Sequence, residues 1–127
     1  MKKFEGDFEV KASKKMLYPY ISTASGLAQW FADDVNINED KEYNFIYDGA
    51  DHKARLASHR QNQFVKFEFY EEGDDDESAF VELHLEENEI TQSVYVKVVD
   101  YSDYEDDQEQ YELWEDLVGS LKEIVGG

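Results

Sequence analysis

The sequence predicts an α+β fold: a curved antiparallel sheet of about six or seven strands wrapped around one long C-terminal helix, with two short helices after the first strand. Three observations predict it. Residues 43–98 alternate apolar and polar side chains through successive hairpins that agree on one face, and residues 102–125 carry an apolar stripe at three- and four-residue steps. Residues 13–31 hold two short, capped helical runs.

The elements follow in chain order. "FEGDFEVKA" places Phe4, Phe8 and Val10 on one side of an opening strand. Ser13 caps a short helix bearing Met16, Leu17 and Ile21, which Pro19 kinks or limits to about two turns. Thr23 or Ser25 begins a second short helix that ends at Trp30-Phe31. A tight turn at Asp48-Gly49 pairs Tyr47 with Ala50, which puts Tyr43, Phe45 and Tyr47 on the face of His52, Ala54 and Leu56. A turn at Arg60-Gln61 pairs Ser58 with Gln63 and adds Val65, Phe67 and Phe69. After the acidic loop "EEGDDDES", Val81, Leu83 and Leu85 alternate with Glu82, His84 and Glu86. A loop at "EENE" pairs Leu85 with Ile90 and brings in Gln92, Val94, Val96 and Val98. The cover for this face is the C-terminal helix, whose stripe of Tyr111, Trp114, Val118, Leu121 and Val125 is flanked by Leu117 and Ile124. "SDYE", Ser102 to Glu105, matches the capping box, and Gly126-Gly127 stops the helix, so about 23 residues would span about 35 Å.

Composition sets the remaining bounds. A chain of 127 residues fits a single domain over 1–127, burying very roughly two-thirds of its unfolded surface. Without cysteine there are no disulfides and no thiolate-held metals. Met1-Lys2-Lys3 leads into a polar stretch rather than a signal-peptide core, and no apolar run reaches the roughly 20 residues of a membrane helix, so a cytoplasmic protein is expected. Residues 1–66 hold ten Lys or Arg against ten Asp or Glu, whereas residues 67–127 hold only Lys97 and Lys122 against 21 acids. The net charge of −19 therefore lies in the second half, where it repels phosphate backbones and anionic lipids. No nucleic-acid partner and no membrane insertion are expected. A solvated acidic surface is the plainer interpretation, and a docking face for a basic protein partner is the alternative.

"LYPYISTASGLAQWFADDV" resembles the START-like, helix-grip (SRPBCC) superfamily, in particular the branch related to the activator of the ninety-kilodalton heat-shock chaperone's ATPase. The matching positions are Leu17-Tyr18, Gly26-Leu27 and Trp30-Phe31, and "YELWEDLVGSLKEIV" is similar to that branch's last helix. The resemblance implies a sheet gripping the helix around a cavity that in many members holds a lipid, sterol, polyketide or other apolar molecule. The candidate cavity lining is Trp30, Tyr43, Tyr47, His52, Phe67, Phe69, Leu83, Gln92, Val96, Trp114, Leu117 and Leu121. Trp30 and Phe31 either plug one end of the grip or line its mouth. His52 is the only inward-facing histidine, and no carboxylate at a recognisable spacing makes it a general base. Gln92 is an inward amide that must find a partner.

The expected function is thus binding of a small apolar or amphipathic ligand, lipid-like or polyketide-like. The alternatives are a chaperone-cofactor-like interaction module and a cyclase- or hydrolase-type enzyme using Tyr47, His52 or Gln92. Catalysis is the weaker expectation, because the chain has no P-loop, G-x-G-x-x-G, G-x-S-x-G or H-E-x-x-H. "EEGDDDE" lacks the order of a calcium loop. No metal or cofactor is expected, and the state is a monomer or weak dimer.

Overall fold

The structure, a computed structural model, describes residues 1–70 and 78–126. Its elements are β1 (Lys2–Val10), α1 (Lys14–Ser22), α2 (Ala24–Leu27), β2 (Asp34–Ile37), β3 (Glu42–Tyr47), β4 (Ala50–Arg60), β5 (Phe64–Phe69), β6 (Phe80–Glu87), β7 (Val94–Ser102) and α3 (Asp107–Val125). The strands form one seven-stranded sheet in the order β1-β7-β6-β5-β4-β3-β2, every pair antiparallel. The sheet curves around α3, with α1 and α2 on the same side.

Local chemistry explains the boundaries. The Ser13 side chain accepts from the Met16 amide and Thr23 from the Gly26 amide, so each short helix has its own N-cap. Pro19 lies within α1, which ends three residues later at Ser22. Asp48 and Gly49 both take positive φ, 53° and 71°, the geometry of a two-residue hairpin turn that keeps Tyr47 opposite Ala50. The inward series Phe45, Ala54, Val65, Phe67, Leu83, Val96 and Val98 is fully buried.

Three local expectations are corrected. Between β4 and β5, Arg60 pairs with Phe64 and Ser58 with Lys66, and a bulge between Leu56 and Ser58 then sets Leu56 opposite Phe67. Ser58 meets Lys66, three residues from Gln63, and the bulge takes up one of the three. Beyond it the shift is two, which preserves parity and leaves the face of Val65, Phe67 and Phe69 unchanged. Between β6 and β7 the loop is longer than "EENE". Asn88 Oδ1 accepts from the amides of Ile90 and Thr91, and the Gln92 amide donates to the Asn88 carbonyl at 2.7 Å. Leu85 consequently pairs with Val96, and Ile90 is almost wholly exposed. Finally, Ser102 is held in the ladder opposite Lys2 and caps nothing; α3 starts at Asp107, with Asp106 accepting from the Gln108 amide at 2.9 Å. Its 19 residues make a helix about 28 Å long, ended by Gly126 in the left-handed region at φ 81°. The acidic loop considered for calcium falls on residues 71–77, and Gly127 follows the helix; both lie outside the described residues.

Candidate functional site

The grip is filled at one end and open at the other. Toward α1, the side chains of Leu17, Ile21, Phe67, Leu83, Val96, Val118 and Leu121 are entirely buried. Toward the amino-terminal half of α3, the sheet and helix diverge around an open cleft of about 940 Å³. Its walls come from the segment after α2 (Trp30 to Asp33), the β3–β4 turn, the facing ends of β5 and β6, the end of β7, and Gln110, Leu113, Trp114 and Leu117 of α3.

One wall is aromatic. Trp30 is buried, its indole Nε1 donating to the Tyr20 carbonyl at 2.9 Å. Its neighbour Phe31 stacks edge-on against it and against Phe45, and lies 5.8 Å from the Trp114 ring. Trp30 therefore plugs the end of α1 while Phe31 bridges from it to the helix, and both border the cleft. Phe69 extends this wall, 5.8 Å from Phe45.

The lining also carries polar groups. Tyr47 and His52, diagonal neighbours across the β3–β4 pair, stack face to face at 3.8 Å with an interplanar angle of 6°. Asp100, 5% exposed, continues the inward parity of Val96 and Val98 and is the one buried charged residue among those described. Its Oδ2 accepts from Trp114 Nε1 at 2.8 Å and from Gln110 Nε2 at 2.6 Å, pinning β7 to α3. Asp100 was not among the residues expected from sequence, although the series Val94, Val96, Val98, Asp100 contains the signal.

Of the twelve expected lining residues, Trp30, Tyr47, His52, Phe69, Trp114 and Leu117 meet at the cleft. Phe67, Leu83, Val96 and Leu121 do not border it; they are fully buried core. Tyr43 also lies in the core, its hydroxyl donating to the Ser22 carbonyl at 2.9 Å. Gln92 is in the exposed β6–β7 turn at φ 62°, outside both strands and two residues short of the inward-facing Val94. Among the described residues no cluster of His, Cys, Asp or Glu could hold a metal, and no helix is long and apolar enough to cross a membrane.

Burial raises the Tyr47 phenol above its ordinary value of 10.0, and the negative charges of Asp100 and then Asp48 raise it further. Burial likewise raises Tyr43, with a contribution from Tyr18. The folded state keeps protons that the unfolded chain releases above pH 10, so stability falls as pH rises from about 10 toward the raised values. Melting midpoints measured between pH 9 and pH 11.5 should therefore drop less steeply in Tyr47→Phe than in the wild type; equal slopes would refute the assignment of this titration to Tyr47.

The sheet, the covering helix and a cleft at one end of the grip define a helix-grip protein. A family model of the START-like superfamily domain matches residues 1–127, and the chain belongs to that superfamily. No curated protein matches the chain in sequence. Among solved structures it is similar to the Aha1 dimer from Colwellia psychrerythraea, at 18% identity and a TM-score of 0.76, covering 98% of this chain and 96% of that one. A protein from Bacteroides fragilis is 28% identical, with a TM-score of 0.62 over 97% of this chain and 90% of that chain. CalU16 from Micromonospora echinospora is 15% identical, with a TM-score of 0.69 over 97% of this chain and 73% of that chain.

Proposed function

We propose that the chain binds a small apolar or amphipathic molecule, lipid-like or polyketide-like, in the cleft between the sheet and α3. The observation that carries this function is the cleft itself. At about 940 Å³ it falls within the roughly 300–1,000 Å³ of small-molecule sites, and it combines an aromatic wall with a few convergent polar groups. Apolar surface at Phe31, Phe69 and Leu117 suits a hydrocarbon or aromatic body, while Tyr47, His52 and Asp100 suit a polar end. Membership of the START-like superfamily supports the same function.

Both tryptophans of the chain border the cleft, which supplies the experiment. Titration with a panel of alkyl and polycyclic aromatic compounds should change tryptophan fluorescence saturably, and Trp30→Phe should retain the response through Trp114. A panel without any saturable response would sink the carrier function.

A chaperone-cofactor-like interaction role rests on a different observation: Glu109, Glu112, Glu115 and Asp116 are all exposed along α3, a surface suited to a basic partner. Likeness to the Aha1 dimer is compatible with that role and with weak self-association. An enzyme of the cyclase or hydrolase type would have Tyr47 and His52 at the cleft, without Gln92.

A further inference from the structure

Taking the cleft as the ligand site, as proposed above, we infer that its occupant carries a protonated amine that sits against the Asp100 carboxylate. Asp100 is 5% exposed and forms part of the cleft wall. Both of its hydrogen bonds fall on Oδ2, from Gln110 and Trp114. Both donors are neutral, and Oδ1 takes neither bond. A carboxylate offers about four acceptor positions, and a buried one is costly unless its charge is compensated. One oxygen of Asp100 is thus anchored to α3 while the other, on the cleft wall, is left to accept from an occupant.

The surroundings favour a cation over any other donor. Among the described residues, the cleft is bordered by Asp33, Asp48, Asp51, Asp100 and Asp103, and by one cationic side chain, Lys53. Asp103 lies 3.5 Å from the Met1 ammonium, which leaves four carboxylates against one lysine. A carboxylate-headed occupant such as a fatty acid would place like charges together in a partly desolvated space. An ammonium gains a charge-assisted bond there, with the Tyr47–His52 ring stack beside it and Phe31, Phe69 and Leu117 left for its apolar body.

Three probes of equal chain length separate head group from tail: decylamine, decanol and decanoate, each titrated below its micelle concentration and followed by calorimetry and tryptophan fluorescence. Decylamine should bind ~10-fold or more tighter than decanoate, with decanol between them. Asp100→Asn, which keeps an acceptor for the Trp114 indole, should erase most of the amine preference and leave decanol within about twofold. Glu115→Gln removes the same charge from the exposed face of α3 and should leave all three affinities unchanged. Because Asp100→Asn also touches the β7–α3 bond, the wild type is measured again in 0.5 M NaCl, where screening shortens to about 4 Å. A contact bond to Asp100 preserves the order of affinities there; diffuse attraction to a protein of charge −19 does not. Equal or reversed affinities for amine and decanoate, an amine preference that survives in folded Asp100→Asn, or one lost in high salt would each overturn the amine assignment while leaving the carrier function standing. Silence toward all three probes would overturn the amine assignment, and the carrier function falls with it if the alkyl and polycyclic aromatic panel is silent too.

Discussion

Leu83→Asp and Val96→Asp should each unfold the protein at room temperature. Leu83 sits opposite Val98, and Val96 lies between Phe8 on β1 and Leu85 on β6; neither position has any exposed surface. A carboxylate in either place would sit within the hydrophobic core cluster. It must remain charged in an apolar interior or be protonated at a cost, and both come on top of the lost aliphatic burial. The combined penalty, on the order of 4–6 kcal/mol, matches the lower part of the roughly 5–15 kcal/mol that stabilises a domain. Glu86→Lys is the control, because Glu86 is exposed on β6 and one solvated charge replaces another. Circular dichroism and urea melts of the three variants should give two unfolded chains and one near wild type. Similar stability in all three would overturn the assignment of the sheet's inner face.

The inner face was legible in sequence because strand parity is robust to the errors that hairpin arithmetic makes. At the β4–β5 hairpin the expected register is off by three residues at Ser58 and by two beyond the bulge, and at β6–β7 the expected partner of Leu85 is Ile90 rather than Val96, six residues away. The six-residue shift and the two-residue shift beyond the β4 bulge are even, so the inward residues from Ala54 to Leu56 and from Val65 to Phe69 keep their side of the sheet. Between the turn and the bulge the shift is odd, and there His59 rather than Ser58 faces Val65. Gln92 was lost for the complementary reason: it leaves the strand altogether once Asn88 closes the loop with its side chain.

Depth along the grip was not legible. Phe67 and Phe69 share a parity, yet Phe67 is sealed in the core and Phe69 borders the cleft. Leu117 and Leu121 are one helical turn apart and divide in the same way. What separates them is where the sheet diverges from α3, a property of twist and of the filling supplied by α1 and α2, which alternation does not encode. Asp100 was missed at that same boundary. An acidic residue after a run of valines reads as the strand's exit to solvent, whereas Gln110 and Trp114 reach across from α3 to hold it inside.

The contact between the two short helices should be almost as intolerant as the core, and Gly26→Ala tests it. A Cβ at Gly26 would fall inside the van der Waals shell of the Pro19 carbonyl oxygen and 2.7 Å from Tyr20 Cα, so what it meets is backbone and not a side chain that can swing away. The backbone it meets is also tethered. The Pro19 carbonyl accepts from the Thr23 hydroxyl at 2.7 Å, the Tyr20 carbonyl from the Trp30 indole, and the Ser22 carbonyl from the Tyr43 hydroxyl. Moving α1 aside therefore strains the bonds that seat Trp30 at the cleft. A loss of about 3 kcal/mol or more is expected, at or beyond the upper end of ordinary overpacking, together with a change in tryptophan emission that marks a displaced Trp30. Gly119→Ala is the matched comparison: it lies within α3 with nothing inside 4 Å of its added carbon, and should stabilise by up to about 1 kcal/mol through helix propensity alone. Paired urea melts should thus move in opposite directions for the same substitution. If Gly26→Ala melts with the wild type, the close crossing of α1 and α2 is wrong, and with it the hydrogen-bonded seat that holds Trp30 against the cleft.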